Sequence, residues 1–377
     1  MVSPRLAFIS LWDAGNPNVE SGYGYSMRCQ LQKYFEVSDL FPMRLPGEAL
    51  ALPLRAAYKM VGRYYHPMRE PAVLKQLARR IEHRLSEAKP DVFFAPSSVP
   101  MSFVETRRPW VYATDQLFSQ FIATYIPNPA ARFRRLGEAQ ERCALAAAAR
   151  ASFPSRWAAD AAITAYGADP AKVAMIPWGA NLPNAIGDEE IEEAIDSRSR
   201  TCCELVFIGG DWERKGGDIV VATVSALAAT GIDVHTTIIG CDPPGLAPDR
   251  FTVHPFLDKS RPDDFARFAA VMRRAHFHFM PSRAEAYGQA FCEAAAFGVP
   301  SISCAVGGIP TIIREGETGR LLPPGATASE FATLIRDTLA DAEHYRRLAD
   351  AARRDYCARL NWDSFGARLR DVIMEVL

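Results

Sequence analysis

Residues 204–230 read ELVFIGGDWERKGGDIVVATVSALAAT. Glu204 to Ile208 form a short apolar run, after which the chain enters a loop with glycines at 209, 210, 216 and 217. Beyond the loop, Ile219, Val220, Val224 and Leu227 recur at helical spacing and share one face. Strand, glycine loop and helix in that order open a doubly wound nucleotide-binding domain. The N-terminal region opens the same way. RLAFISLW over 5–12 runs into a loop containing Ser21, Gly22, Tyr23 and Gly24, then into a helical stretch over about 26–35. Two such openings, about two hundred residues apart, predict an α/β chain of two tandem Rossmann-like doubly wound domains.

The rest of the chain fits that pattern. In the first half, short apolar runs at 91–95, 110–114, 151–153 and 173–176 read as buried strands. Ser155 is the expected N-cap and Gly167 the expected C′ residue of a helix between the last two. In the second half, strands are expected at 234–239, 251–253, 277–280 and 301–303, alternating with helical segments. A length of 377 residues also calls for more than one core. The acidic, weakly periodic stretch 181–200 reads as a linker between domains at 1–180 and 201–361. The amphipathic stretch 362–377 is expected to be a closing helix, packing back on the first domain.

Composition narrows the function. A net charge of −1 offers no electrostatic case for nucleic acid as a partner. The eight cysteines show no metal-ligand spacing and suit a reducing, cytoplasmic setting. No apolar run approaches a membrane span, and the first apolar run is shorter than a signal peptide requires. Residues 50–85 are rich in Arg, Lys and Tyr, so a basic amphipathic helix there could touch an anionic membrane surface. An ordinary solvated helix face packed on the first domain is the favored reading.

The chemistry concentrates in two places. At Arg214-Lys215-Gly216-Gly217 a basic pair follows a glycine turn, where cations and N–H donors can meet the charge of a diphosphate. Residues 281–293 read PSRAEAYGQAFCE, with Glu285 on a small-residue turn and Glu293 on the helix it opens. Free N–H groups at such a helix start attract phosphate, and the two carboxylates can hold sugar and ribose hydroxyls. Gly307-Gly308 allows close backbone approach to a ligand, although taken alone a tight strand-to-helix turn is the favored reading. Gly22 and Gly24 carry the same two readings, without the third glycine and downstream acid of a dinucleotide fingerprint. His276 and His278 share a face but have no third ligand, and read as partly buried residues near a sheet edge. A glycosidase pair at Glu285 and Glu293 is compatible with spacing, but the glycines and the basic pair argue against it.

With these motifs in view, the chain resembles the retaining family-4 glycosyltransferases (glycosyltransferase group 1) of GT-B fold. Glu285 and Glu293 match the family's paired glutamates, seven residues between them. Pro281-Ser282, Tyr287-Gly288, Gly298-Val-Pro300, Gly307-Gly308-Ile-Pro310 and Glu315 to Leu322 continue the match. The resemblance implies two domains facing a cleft and a nucleotide diphosphate-sugar donor held mainly by the C-terminal one. It assigns the ribose to Glu293, and the donor sugar to Glu285 with the backbone of Ala286, Tyr287 and Gly288. It assigns the diphosphate to Lys215, with Arg214 as helper and Gly209 in the phosphate loop, and brings Gly22 and Gly24 toward the phosphates. It further implies retention of anomeric configuration without a catalytic metal or other cofactor.

Three positions depart from the family pattern. Gly210 stands where an Arg is frequent, Asp115 where a His meets the donor sugar, and Thr311 where a Glu follows the Gly-Ile-Pro turn. The expected activity is transfer of a sugar to an unassigned saccharide, lipid-linked or small-molecule acceptor, in glycan or glycoconjugate biosynthesis. The alternatives are a nucleotide-sugar epimerase or hydrolase of the same fold, and a non-catalytic nucleotide-sugar-binding protein. Oligomeric state is not readable from the chain.

Overall fold

A computed structural model describes residues 3–45, 52–183 and 186–377. The chain divides into two compact units, one formed by Met1–Pro177 with Trp362–Leu377 and the other by Trp178–Asn361.

The first unit is built on a parallel six-stranded sheet. Its strands are β1 (Arg5–Ile9), β2 (Glu36–Leu40), β3 (Val92–Ala95), β4 (Trp110–Ala113), β5 (Arg150–Phe153) and β6 (Val173–Met175), in the order β2-β1-β3-β4-β5-β6. The interior strands read as unbroken apolar runs because helices cover both faces, and Leu6 to Ile9 and Val92 to Ala95 are buried throughout. The polar strand β2 sits at the edge, which is why sequence pattern alone does not find it. Helix Arg156–Thr164 starts at Ser155, whose Oγ accepts from the N–H of Ala158 at 3.3 Å. Helix Trp362–Met374 buries Phe365, Leu369 and Ile373 in this unit. Its Gly366 lies against Gln30, which donates to Asp363 at 2.9 Å, and a Cβ at 366 would come within 2.6 Å of the Gln30 amide oxygen.

The second unit repeats the plan with β7 (Cys202–Ile208), β8 (Asp233–Ile239), β9 (Phe251–His254), β10 (Phe277–Phe279), β11 (Ser301–Cys304) and β12 (Gly319–Leu322). All pairings are parallel and the order is β12-β11-β10-β7-β8-β9. Counted from β7, this is the doubly wound order whose direction reverses between its first and fourth strands. The loops leaving β7 and β10 therefore flank a topological switch point, where α/β sheets bind ligands outside the carboxyl ends of their strands.

Two expectations change here. Within 181–200, Asp188–Asp196 is a helix belonging to the second unit, and Ile191, Ala194 and Ile195 are its buried face. Arg198 follows it into the interior, donating to the carbonyls of Phe297 and Gly298 and to the Tyr345 hydroxyl. Three apolar residues and one buried Arg anchor a segment that reads as a linker by composition. The two histidines also differ from expectation. Strand β10 lies inside the sheet rather than near its edge, His278 is fully buried, and His276 is 4% exposed.

His278 carries a pH signature. Burial, helped by the nearby Lys215 charge, pushes its imidazole down to about 3 from an ordinary 6.5. The ring is neutral in the fold, whereas the unfolded chain protonates it below about pH 6.5. Its contribution is therefore intact above that value and is lost as pH falls toward 3. Acidification from neutrality to about pH 5 should cost roughly 2 kcal/mol through this group. Chemical denaturation of His278→Leu should show a shallower loss over the same interval, with His276, also depressed by burial, supplying part of what remains.

Among the described residues, no helix is long and apolar enough to cross a membrane.

Candidate functional site: a basic cradle at the switch point of the second sheet

The loop leaving β7 begins at Gly209, whose N–H donates to the Ile239 carbonyl at 2.8 Å. The Lys215 side chain runs back across this residue, and a Cβ at 209 would lie 2.1 Å from its Cδ. Glycine here is what lets Lys215 return over the strand end. The loop closes at Gly216, in the left-handed region at φ +77, where a Cβ would meet the Pro281 carbonyl oxygen at 2.2 Å. The N-cap Gly216 has no side chain to cap helix Gly217–Ala229, which follows; the Gly217 N–H donates to the Trp212 carbonyl at 2.8 Å, and the helix start faces the loop.

The loop leaving β10 meets this first loop through paired contacts. The N–H of Arg283 donates to the Arg214 carbonyl, and Arg214 Nη1 donates to the Ala284 carbonyl, both at 2.8 Å. Arg283 also forms a two-pronged bond with Asp218, at 2.8 and 2.6 Å. Between the loops lies the Glu285 carboxylate, which receives Lys215 Nζ at 2.9 Å and lies 3.5 Å from Arg214 Nη1. Burial works to raise the Glu285 carboxyl, but the Lys215 and Arg214 charges outweigh it and hold it below the usual carboxylate range. Asp211 occupies the outer side of Arg214 at 3.0 Å.

Gly307 completes the cradle. Its φ is +53, and a Cβ would sit 1.7 Å from the Glu285 carbonyl oxygen, so the loop after β11 lies directly on the loop that bears Glu285. The N–H of Gly308 points at the same carbonyl at 3.4 Å. Gly288, at φ +95, opens helix Gln289–Ala296, again with no side-chain cap. Ala286 and Tyr287 are buried, and the Tyr287 hydroxyl donates to the Trp178 carbonyl at 2.9 Å. What this segment offers a ligand is therefore backbone. Gly210 leaves the wall open on the side of Gly240, whose carbonyl oxygen would be 3.5 Å from an added Cβ. Thr311 lies in the short helix Ile309–Ile312, where its carbonyl accepts from Arg359 at 2.8 Å.

Glu293 lies on helix Gln289–Ala296, 4% exposed, and forms an ion pair with Lys259. Lys259 also rests over the Phe268 ring, 5.3 Å from its centroid. Lys259 was not anticipated: it precedes Glu293 by 34 residues in an irregular loop, and no spacing rule joins them. In the first unit, Gly22 at φ +78 starts helix Tyr23–Leu31, which contains Gly24. Asp115 follows β4; burial above all, then the charges of Glu20 and Asp115, keep the Tyr23 hydroxyl proton tightly held. The predicted site residues thus form two groups, Gly22, Gly24 and Asp115 in one unit and all others in the second. Among the described residues, no three His, Cys, Asp or Glu side chains are grouped to hold a metal ion.

Residues 203–341, which carry the cradle, match the family model described as glycosyl transferases group 1. The second unit belongs to the group 1 glycosyltransferases. The D-inositol 3-phosphate glycosyltransferase of Streptomyces bingchenggensis is 30% identical over 275 residues, spanning 67% of this chain and 57% of that protein. The chain thus spans little more than half the length of this curated relative. Sucrose-phosphate synthase from Thermosynechococcus elongatus superposes with a TM-score of 0.71 at 18% identity, over 99% of this chain and 98% of that one. Anabaena HepE, solved in complex with UDP-glucose, gives 0.65 at 16% identity, over 99% and 100%. These superpositions show the fold to be GT-B, with two Rossmann-like domains.

Proposed function

We propose that this chain is a retaining glycosyltransferase using a nucleotide diphosphate-sugar donor. One observation carries the reading: Lys215, Arg214 and Glu285 converge between two glycine loops at the switch point of the second sheet. A diphosphate entering there meets Lys215, the Arg214 fork and the positive end of helix Gly217–Ala229. In the unliganded site, Glu285 compensates both cations; with donor bound, we assign its carboxylate to the sugar hydroxyls. Glu293 is assigned to the ribose, which requires that Lys259 share or yield that carboxylate. The backbones of 209–210, 286–288 and 307–308 supply close, side-chain-free walls. For the first unit, we assign Gly22 and Gly24 to the phosphates and Asp115 to the choice of donor sugar.

In the transfer, the bond from the anomeric carbon to the leaving phosphate oxygen breaks, and the phosphate keeps the electron pair. The acceptor hydroxyl oxygen bonds to the same face of that carbon and passes its proton to the departing phosphate. Lys215, Arg214 and the loop N–H groups stabilize charge as it develops on the diphosphate. Contacts of this kind are typically worth about 3 kcal/mol of barrier each. The support from relatives is of the same class: HepE was solved with UDP-glucose, and the curated relatives are glycosyltransferases by name.

A panel of nucleotide-sugars, with released nucleoside diphosphate and sugar products followed by NMR, tests this reading. Transfer to an added acceptor with retained configuration is expected. Release of free sugar as the sole product on every acceptor tried would make the protein a hydrolase. Binding with no turnover would make it a binding protein.

A further inference from the structure

The wall formed by Gly307 and Gly308 is supported from behind by a residue outside every motif of the cradle. After the two glycines the chain makes one helical turn, Ile309–Ile312, and leaves it at Ile313 in extended conformation. A turn this short leaves most of its carbonyls without helical partners. Arg359, the last residue of helix Ala342–Arg359, supplies donors to two of them. Its Nη1 donates to the Thr311 carbonyl at 2.8 Å and its Nη2 to the Ile312 carbonyl at 2.9 Å. Asp355, one turn earlier in the same helix, holds the guanidinium from the other side, accepting from Nε at 2.8 Å and from Nη2 at 2.6 Å. Asp355 is buried and also accepts from Arg314 at 2.8 Å. All three nitrogens of Arg359 are therefore committed to protein atoms, and a buried carboxylate orients its planar fork.

Hydrogen bonds carry this constraint from the rear helix to the ligand-facing backbone. The Thr311 N–H donates to the Gly308 carbonyl at 3.0 Å and the Ile309 N–H to the Val306 carbonyl at 3.2 Å, so the turn and the glycine pair move as one piece. Gly307 in turn rests on the Glu285 carbonyl oxygen. Burial raises the Tyr287 hydroxyl and the Arg359 charge partly opposes that rise, so the guanidinium lies near the 285–288 segment as well. Arg353, six residues earlier, plays a similar part behind helix Gln289–Ala296, donating from Nη1 to the Ala296 carbonyl at 2.5 Å. Helix Ala342–Arg359 thus braces the far ends of two helices whose starts face the cradle.

We propose that Arg359, oriented by Asp355, is a positioning residue for glycosyl transfer: it sets where the Gly307–Gly308 backbone lies against the Glu285 loop, and through that loop the seat of the donor sugar. The inference rests on the donor reading given above. Arg314 supplies the matched control, because it is the other cation on Asp355, yet its side chain reaches Asp355 and Glu317 rather than the carbonyls of the turn.

The test compares full-length wild type, Arg359→Gln, Arg359→Lys and Arg314→Gln, all well below their melting temperatures. Nucleotide-sugar turnover, nucleoside diphosphate calorimetry and amide hydrogen exchange are read on each. Arg359→Gln should lower kcat at least about tenfold, the worth of a charged hydrogen bond, and speed exchange across 306–313. Losing the tether loosens the wall without pushing on the Glu285 loop, and Lys215 and Arg214 stand on the facing loop. Nucleoside diphosphate affinity should therefore stay within about threefold of wild type. Arg359→Lys, which keeps the charge beside Asp355, should recover part of the turnover. Arg314→Gln should keep turnover within about twofold and leave exchange over 306–313 unchanged. Wild-type turnover or wild-type exchange in Arg359→Gln, or an equal loss of turnover in Arg314→Gln, would overturn the inference. A wild-type chain that turns over no nucleotide-sugar would overturn the donor reading and this inference with it, a failure read in the unmutated protein and so distinct from the others.

Discussion

Glu285→Gln is expected to cut turnover by at least about 100-fold while leaving nucleoside diphosphate affinity unchanged or improved. Glutamine keeps the shape of a side chain that is 7% exposed but removes the charge now compensating Lys215 and Arg214. The freed cations lose nothing toward a diphosphate, so binding of the nucleotide is spared. The donor sugar loses a charged acceptor, and a charge-assisted contact made at the reacting sugar is worth about 3 kcal/mol, which is the stated hundredfold. Glutamine is the informative choice because its amide oxygen still accepts from Lys215 and fills the same space, whereas Glu285→Ala would remove the acceptor and leave a void, blurring activity with stability. Donor turnover by nucleoside diphosphate release, together with calorimetry, reads both quantities. Unchanged turnover in Glu285→Gln would remove Glu285 from the reaction.

Gly307→Ala should have the largest effect of any single methyl added to the second unit. The new Cβ would lie 1.7 Å from the Glu285 carbonyl oxygen and 2.9 Å from its carbon, and neither is the end of a flexible side chain. Backbone must move, and the segment that moves carries Glu285. Gly316→Ala is the matched control, because its φ of +75 imposes the same left-handed strain with nothing within 4 Å of the Cβ. That strain costs about 1–2 kcal/mol, or roughly 2–8 °C in melting temperature for a unit of this size. Gly307→Ala should exceed the control in melting-temperature loss and also lose nucleotide binding, which the control should keep. Equal behavior of the two variants would mean that the Gly307 contact does not shape the cradle.

Much of this architecture is legible in the chain because buried parallel strands are continuous apolar runs and glycine loops mark the turns between strand and helix. Strands β2 and β12 escape that reading, since Glu36–Leu40 is polar and Gly319–Leu322 starts on a glycine. Helix Asp188–Asp196 escapes it for a related reason: its three buried residues are outnumbered by acids that solvate the opposite face. At the site, the carboxylate pair and the basic pair can be read from local spacing. Tertiary contacts decide the rest. Sequence cannot show that Lys215 reaches Glu285, 70 residues away, or that Lys259 occupies Glu293. Nor can it show that the Tyr287 hydroxyl is committed to Trp178, leaving only backbone at that point of the wall.

The central claim is that the cradle between β7 and β10 holds the diphosphate of a nucleotide-sugar, and calorimetric titration of nucleoside diphosphates into wild-type and Lys215→Ala protein tests it most directly. The account predicts one site per chain for at least one base, with affinity reduced at least about tenfold in the variant through loss of a charge-assisted contact. Equal affinity in the two proteins would contradict it.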